Sequence, residues 1–270
     1  MDNYFEIKNL KCAYNSKTTS PKVVLLVDDL IIPKGEVVFI VGQSGCGKST
    51  ILETLGLMNN TILEAEKCLL YPEPGTTIDM MKVWQQKNSV LSDIRKKYFS
   101  FIFQQTNLMP NFSIRENAVI PQLIKGGDKK YGDTLQLVGL QQLIENKQHI
   151  TEISGGQQQR IAFVRAFMPN FNIIFGDEPT GNLDPENAAN LMKMVTNEIH
   201  KSNGKTAIIV SHSPELSIKY ADRIIKIHIA STENPCGVID STSIFIKRKD
   251  KWFHNESEIS SEKLYAFIIQ

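Results

Sequence analysis

The amino-acid sequence predicts an α/β fold whose core is a parallel sheet covered by helices on both faces. Three short apolar runs, at residues 37–41, 172–175 and 206–210, have the length and uniform hydrophobicity of strands that are buried on both sides. Each run is followed by a segment that carries helix-start signals, so strands and helices alternate along the chain. This alternation is typical of parallel sheets, because a helix must return the chain to the start of the next strand.

Capping residues mark where several of these helices begin. Asp184-Pro185 and Ser213-Pro214 each place a good N-cap before a proline, which is well tolerated at the first helical position. Ser113 stands three residues before Glu116, the spacing of a capping box, and predicts another helix start. Residues 88–97 are predicted to form a helix that leads into a strand.

The two ends of the chain predict additional β-structure. Residues 4–10 and 23–32 are rich in β-forming residues and predict a small antiparallel sheet before the first core strand. The character of the sequence changes from Ala230 onward. There, apolar residues 244–246 and 252–253 flank a basic turn and predict a terminal hairpin.

Composition limits the classes of function. The chain has 270 residues, with 41% hydrophobic and 22% charged residues, as in ordinary globular proteins. Lys and Arg total 30 against 29 Asp and Glu, a formal charge of +1, which does not favour nucleic-acid binding or electrostatic adhesion to membranes. We find no signal-peptide pattern at the N-terminus and no apolar run long enough to span a bilayer. A membrane role would therefore need an anchoring partner.

Residues 42–49 fit the pattern G-x-x-x-x-G-K-S/T of a phosphate-binding loop, between a predicted buried strand and a predicted helix. Glycines let main-chain N–H groups converge on phosphate oxygens, and the helix start presents its positive dipole end to the anion. We expect Lys48 to reach the β- and γ-phosphates and the Ser49 hydroxyl to coordinate Mg²⁺. The candidate nucleotide-binding residues here are Gly42, Gln43, Ser44, Gly45, Cys46, Gly47, Lys48, Ser49 and Thr50.

The cysteines point to a reducing compartment. Cys12, Cys46, Cys68 and Cys236 are scattered, with no pair or neighbouring histidine at zinc-ligand spacing. Cys46 allows two interpretations, a redox-active thiol or a spacer that contributes its main-chain N–H. Its place inside the phosphate-loop pattern favours the spacer.

The second candidate site is the pair Asp177-Glu178, which ends an apolar strand. Adjacent strand residues point to opposite sides, so we expect the two carboxylates to have different tasks. Asp177 is expected to bind Mg²⁺, and Glu178 to polarise the water that attacks the γ-phosphorus. Such a pair is also common in a solvated turn. The phosphate loop that contains Lys48 favours the hydrolytic interpretation.

Residues 153–160, Ile-Ser-Gly-Gly-Gln-Gln-Gln-Arg, resemble the signature sequence of the ABC ATPase family, with Ile153 in place of the usual leucine. A capped helix start would explain the same residues, and both interpretations provide free N–H groups that can bind an anion. In that family the signature closes over the γ-phosphate held by the other subunit. The resemblance implies this contact for Ser154, Gly155, Gly156 and Gln157.

Further segments resemble family motifs in the family's order. Gln104 resembles the Q-loop glutamine, which contacts Mg²⁺ and the attacking water and senses the membrane partner. Asn182-Leu183-Asp184 is similar to the D-loop that joins the two active sites, so Asp184 is a candidate nucleotide-site residue. His212 resembles the switch histidine that contacts the γ-phosphate. Tyr14 is a candidate for the aromatic residue that stacks on adenine, and it could equally be a core residue.

The resemblance covers residues 4–228, which it implies are one P-loop NTPase domain of the ABC nucleotide-binding type. It implies a parallel-sheet core, an N-terminal antiparallel β subdomain and a helical signature subdomain at about residues 106–168. Residues 229–270 would be a C-terminal extension. Residues 58–82 and the tail depart from the family pattern. Residues 176–184 and 107–110 are most similar to the lipoprotein-release, macrolide-efflux and cell-division group.

The function implied by this resemblance is ATP binding and hydrolysis that drives closure of a dimer and acts on a separate transmembrane subunit. ATP and Mg²⁺ would be bound between two copies of the chain, or between it and a paired ATPase subunit, without nucleic acid. The location implied is cytoplasmic, peripheral on the inner face of the cell membrane. The alternative is a soluble ABC ATPase that acts on nucleic acid or ribosomes. ABC ATPases that act on nucleic acid usually carry a coiled-coil insertion between the phosphate loop and the signature, and no such insertion lies between Lys48 and Ser154. Those that act on ribosomes carry two cassettes in one chain, and this sequence has one.

Overall fold

The computed structural model describes residues 2–14, 21–143, 148–202, 204–230 and 235–269. Within these ranges a single mixed sheet contains fourteen strands. The strands are β1 (Asn3–Tyr14), β2 (Lys22–Pro33), β3 (Val37–Gly42), β4 (Ile62–Glu64), β5 (Lys67–Leu70), β6 (Ile78–Asp79), β7 (Phe99–Ile102), β8 (Ile173–Asp177), β9 (Thr206–Val210), β10 (Arg223–Ile229), β11 (Gly237–Ile239), β12 (Ile244–Arg248), β13 (Lys251–His254) and β14 (Ser257–Ile259).

The helices lie between these strands and after the last of them. They are α1 (Lys48–Leu55), α2 (Met80–Val83), α3 (Asn88–Tyr98), α4 (Ile114–Lys125), α5 (Tyr131–Leu137), α6 (Gly155–Phe167), α7 (Pro185–Lys201), α8 (Pro214–Tyr220) and α9 (Ser261–Ile269). None of the helices in the described residues is both long and apolar enough to cross a membrane.

The core of the sheet is parallel, as predicted. Strands β10, β3, β9, β8 and β7 lie side by side in that order, and each neighbouring pair is parallel. Strand β3 is buried on both faces. Val37, Phe39 and Val41 pack in the hydrophobic cluster that includes residues of α4, α5 and α6, and Val38 and Ile40 pack in the cluster that includes residues of α1. This two-sided burial explains why the apolar run is uninterrupted.

The predicted N-terminal antiparallel sheet is confirmed. Strands β1 and β2 pair antiparallel along most of their length. The segment 58–82, for which no element was predicted, extends the same sheet: β4 and β5 both pair with β1, and β6 pairs with β5. Strand β11 then connects the two parts of the sheet, because it lies parallel to β2 and antiparallel to β10.

A helical lobe lies between β7 and β8 and contains α4, α5 and α6. The predicted capping box is present at its start, where Ser113 and Glu116 each accept a hydrogen bond from the other's main chain. The predicted caps Asp184 and Ser213 are also present at α7 and α8.

The tail beyond β10 forms more than one element. Strand β12 pairs with β10 and with β13, and β14 pairs with β13. The turn between β12 and β13 is made by Lys249 and Asp250, both with positive φ. Helix α9 packs back on α8 and β3. The predicted boundary at residue 228 lies near the end of β10, and within the predicted extension residues 231–234 and 270 lie outside the described residues. That boundary stays a prediction.

Candidate nucleotide-binding and hydrolysis site

The predicted phosphate loop connects the end of β3 to the start of α1. Gly47, the residue before the helix, has a φ of 100°, which favours glycine, and it supplies no side-chain cap. Helices α4, α6, α7 and α8 are instead capped by Ser113, Ser154, Asp184 and Ser213. The first turn of α1 also carries no acidic residue. Its main-chain N–H groups therefore remain suited to bind an anion.

The loop is tightly packed around Lys48. This side chain is 6% exposed, and its ammonium group donates hydrogen bonds to the carbonyls of Gly42 at 2.9 Å and Gln43 at 2.8 Å. Gly42 has a φ of 150°, and a Cβ at this position would lie 2.6 Å from the carbonyl oxygen of Ile227. The backbone of the loop thus requires glycine at position 42.

Cys46 is buried inside the loop, at 1% exposure. Burial raises the pKa of its thiol, so the reactive thiolate is disfavoured. This environment fits the spacer interpretation and argues against the redox one.

Five predicted site residues meet at the end of β8. The Ser49 hydroxyl donates to Asp177 Oδ1 at 3.3 Å. The Glu178 carboxylate accepts a hydrogen bond from Gln104 Nε2 at 3.2 Å. His212 Nε2 lies 2.8 Å from the other carboxylate oxygen of Glu178. Side chains from three parallel strands and the phosphate loop thus converge at one edge of the sheet.

The prediction that strand alternation directs Asp177 and Glu178 to opposite sides is wrong. Strand β8 ends at Asp177, and Glu178 has a φ of 45°, so its orientation comes from a left-handed backbone and not from strand alternation. Its N–H donates to the carbonyl of Val210 at 3.0 Å, which holds this conformation. A left-handed non-glycine residue costs about 1–2 kcal/mol. Such strain is often found at functional sites.

Asp177 lies partly buried beside the phosphate loop. Its burial raises the pKa of the carboxyl, and the Ser49 hydrogen bond only partly opposes that shift. A cavity of about 590 Å³ is lined by Glu178, His212 and Glu215, among others.

Tyr14 lies at the end of β1, next to α1. Its ring is 41% exposed, and its hydroxyl lies 3.2 Å from Thr50 Oγ1. An exposed ring beside the phosphate-loop helix is available for stacking, whereas a core tyrosine would be covered.

The signature segment forms the start of α6. Ser154 Oγ accepts from the Gln157 N–H at 3.3 Å, and Gln157 Oε1 accepts from the Ser154 N–H at 2.9 Å. A Cβ on Gly156 would lie 3.6 Å from the Asn182 carbonyl, so this turn adjoins the predicted D-loop. Asp184 caps α7 by accepting from the Asn187 N–H at 3.0 Å. Among the described residues, these side-chain hydrogen bonds do not reach the phosphate loop.

Sequence reasoning missed Gln159. This side chain is fully buried, at 0% exposure, and its amide donates to the carbonyl of Pro179 at 3.0 Å. It therefore ties the signature helix to the residue that follows Glu178. A signal was present, because Gln159 shares a helical face with the apolar residues Ala162 and Phe163 at i+3 and i+4.

Comparisons with known proteins agree with this geometry. A family model described as ABC transporter matches residues 27–181, more than half of the chain. The chain belongs to the ABC transporter family. The solved dimeric, post-hydrolysis structure of the ATP-binding cassette MJ0796, bound to ADP and Pi, has a TM-score of 0.67 and 28% identity to this chain. It covers 82% of this chain and 93% of its own.

Two curated relatives of this ABC protein confirm the predicted resemblance to the lipoprotein-release and macrolide-efflux proteins. The lipoprotein-releasing system ATP-binding protein LolD 1 of Rhodopseudomonas palustris is 31% identical over 84% of this chain and 97% of its own length. The macrolide export ATP-binding/permease protein MacB of Chlorobaculum tepidum is 36% identical over 82% of this chain. The match covers 32% of that relative, so the chain corresponds to about a third of the MacB length.

Proposed function

We propose that this ABC protein binds ATP at the phosphate loop, hydrolyses it, and uses the resulting dimer closure to act on a separate membrane subunit. The observation that carries the proposal is the position of Glu178. Its carboxylate is held at 3.2 Å by Gln104 and at 2.8 Å by His212, on the same sheet edge as the Ser49–Asp177 pair.

Each residue at this edge is assigned one task. Lys48 exchanges its carbonyl partners for the β- and γ-phosphates, and the uncapped start of α1 binds the phosphate oxygens. Glu178 takes a proton from the attacking water, and His212 holds Glu178 and contacts the γ-phosphate. Tyr14 stacks on the adenine. Phosphoryl transfer depends mainly on positioning and charge, and these residues supply one copy's share of both.

Mg²⁺ fits the oxygen ligands next to Glu178. The Ser49 hydroxyl, the Asp177 carboxylate and the amide oxygen of Gln104 are the hard ligands that this ion prefers. Burial raises the pKa of Asp177, so a nearby cation would relieve an unfavourable negative charge. When bound, Mg²⁺ would supply positive charge that offsets the negative charge of the phosphate groups.

We further propose that two copies of the chain enclose the nucleotides. Apart from its chain neighbours and the backbone of its own helix, a Cβ added to Gly155 would meet no atom of the described residues within 4 Å. The glycine is thus not required by the fold of one copy, whereas a phosphate brought by a second copy would need close approach to the helix start. Ser154, Gly155, Gly156 and Gln157 would then bind that phosphate, and Asp184 would line the same interface.

We infer that the membrane partner is a separate chain. The LolD 1 relative is named as the ATP-binding protein of a lipoprotein-releasing system, and the match covers 97% of its own length, so an ATP-binding cassette of this kind occurs as a chain by itself. In this proposal the protein lies on the cytoplasmic side, held peripherally by a transmembrane subunit.

Affinity purification from the membranes of the native host, in mild detergent, tests the partner. We expect a polytopic membrane chain in stoichiometric amount, and we expect the same chain to be recovered with a Lys48→Ala variant as a nucleotide-binding control. Recovery of ribosomal or DNA-bound proteins without a membrane chain would contradict the transporter assignment and leave the ATPase assignment standing.

A further inference from the structure

The C-terminal helix α9 is firmly anchored to the rest of the protein. Leu264 and Ile268 are buried against the core, at 0% and 8% exposure. The ring of Phe267 lies 6.0 Å from that of Phe245 and 5.8 Å from that of His254. The carbonyl of Phe267 also accepts a hydrogen bond from the Lys226 ammonium. These contacts fix α9 to strands β10, β12 and β13.

One polar side chain of this helix reaches toward the catalytic edge. The Tyr265 hydroxyl donates to Glu215 Oε1 at 3.0 Å. Glu215 lies in the first turn of α8 and lines the same cavity as Glu178 and His212. Its other carboxylate oxygen accepts from the Ser213 hydroxyl at 2.9 Å. Both oxygens of Glu215 are therefore engaged, one by the tail and one by the residue after His212.

Ser213 transmits this restraint to residues 211–212, which include the predicted switch histidine. Its Oγ accepts from the Leu216 N–H at 3.2 Å, and its own N–H donates to Ser211 Oγ at 3.0 Å. His212 lies between these two serines and contacts Glu178 at 2.8 Å. The hydrogen bonds thus run without a gap from the tail helix to the residues that flank His212.

We propose that Tyr265 is a positioning residue for the switch histidine. By holding Glu215, it fixes the start of α8 and, through Ser213, the orientation of His212 toward Glu178. The tail that carries it therefore sets the rate of hydrolysis without contacting the nucleotide. This inference rests on the proposed ATPase function, because it assigns a role to a residue that supports the same site.

A Tyr265→Phe substitution removes the hydroxyl and keeps the ring. We expect kcat for ATP hydrolysis to fall about two- to fivefold, the effect of one partly exposed hydrogen bond, with KM for ATP and the melting temperature unchanged. Tyr71 provides a matched control: its hydroxyl donates to Glu6 Oε2 at 3.1 Å in the N-terminal sheet, far along the chain from the switch. Tyr71→Phe should leave kcat unchanged.

A double-mutant cycle separates this role from a general effect on folding. Glu215→Ala should lower kcat by a similar factor. Adding Tyr265→Phe to it should cause no further loss, because both substitutions remove the same Tyr265–Glu215 hydrogen bond. Equal kcat for Tyr265→Phe and the parent would overturn the proposal, and so would independent, multiplying losses in the double variant.

A second measurement does not depend on activity. With ¹³C-labelled histidine, the imidazole signal of His212, assigned by His212→Gln, should shift in Tyr265→Phe and stay in place in Tyr71→Phe. An unmoved signal would overturn the proposal. If the signal shifts in Tyr265→Phe but the parent protein hydrolyses no ATP, the positional link is supported and the proposed hydrolysis is contradicted. The two failures can therefore be told apart.

Discussion

The phosphate loop and the signature turn are both glycine-rich helix starts, yet Gly42 in the first and Gly155 in the second have different surroundings. A Cβ on Gly42 would lie 2.6 Å from the carbonyl of Ile227, whereas a Cβ on Gly155 would meet no described atom outside its own helix and chain neighbours within 4 Å. The helix of the phosphate loop has no side-chain cap, and the signature helix is capped by Ser154. The first site is thus shaped by its own chain. At Gly155 the second leaves space that the proposed second copy would fill.

The largest expected effect tests whether the phosphate-loop side carries the chemistry. Replacing Glu178 by Gln removes the base and keeps a side chain that can still meet Gln104 and His212. We expect ATP hydrolysis to fall by about 100-fold or more, with ATP binding retained. Phosphate release and nucleotide binding are the measurements. With ATP present, light scattering should detect a trapped dimer, and unchanged turnover would remove Glu178 from its assigned role.

The next effect concerns the crowded glycine. Gly42→Ala forces a side chain against the Ile227 carbonyl at a left-handed position, which we expect to cost about 2 kcal/mol of stability. ATP affinity should fall about tenfold or more, because the loop must move to accommodate the methyl group. Thermal unfolding and equilibrium nucleotide binding measure the two effects. Wild-type values for both would show that the loop is more adaptable than its packing indicates.

The matching change at the signature should separate stability from activity. Gly155→Ala replaces an uncrowded glycine in the first turn of a helix, so the melting temperature should stay the same or rise slightly. ATP binding by one copy should also be unchanged, while hydrolysis falls about tenfold as the methyl group obstructs the second copy. A parallel loss of stability would mean that Gly155 serves the fold of its own chain.

The smallest effect is electrostatic. Burial raises the pKa of Asp177, so the ionised carboxylate destabilises the folded state above that pKa, and the penalty disappears as the pH falls below the unfolded value. In the absence of nucleotide and metal, Asp177→Asn should therefore raise the melting temperature by about 1–3 °C at neutral pH. The gain should vanish near pH 3. A gain in melting temperature that grows toward acid pH would contradict the raised pKa of Asp177.

Local signals were sufficient to predict much of the fold and the site. The uniform burial of β3, β8 and β9 produces uninterrupted apolar runs, and the caps Ser113, Asp184 and Ser213 mark helix starts by their own chemistry. Ser49, Asp177 and Glu178 could be grouped because the carboxyl ends of parallel strands share one edge.

The remainder depends on contacts between distant parts of the chain. Strand β5 is defined by its pairing with β1, and α9 by burial of Leu264 on the core, neither of which has a strong local pattern. The left-handed conformation of Glu178 depends on its hydrogen bond to Val210. Tyr265 reaches Glu215 only because β12, β13 and β14 bring the tail back across the molecule.

The position of β11 has a consequence for biosynthesis. A Cβ on Gly237 would lie 1.9 Å from the carbonyl oxygen of Cys46, so the main chain of β11 is pressed against the phosphate loop. Gly237 follows that loop by about 190 residues. A ribosome that adds about 5–20 residues per second needs roughly 10–40 s to cover this distance. Throughout that interval the nascent loop lacks its final support, so the predicted phosphate loop is fully packed only after β11 has been synthesised.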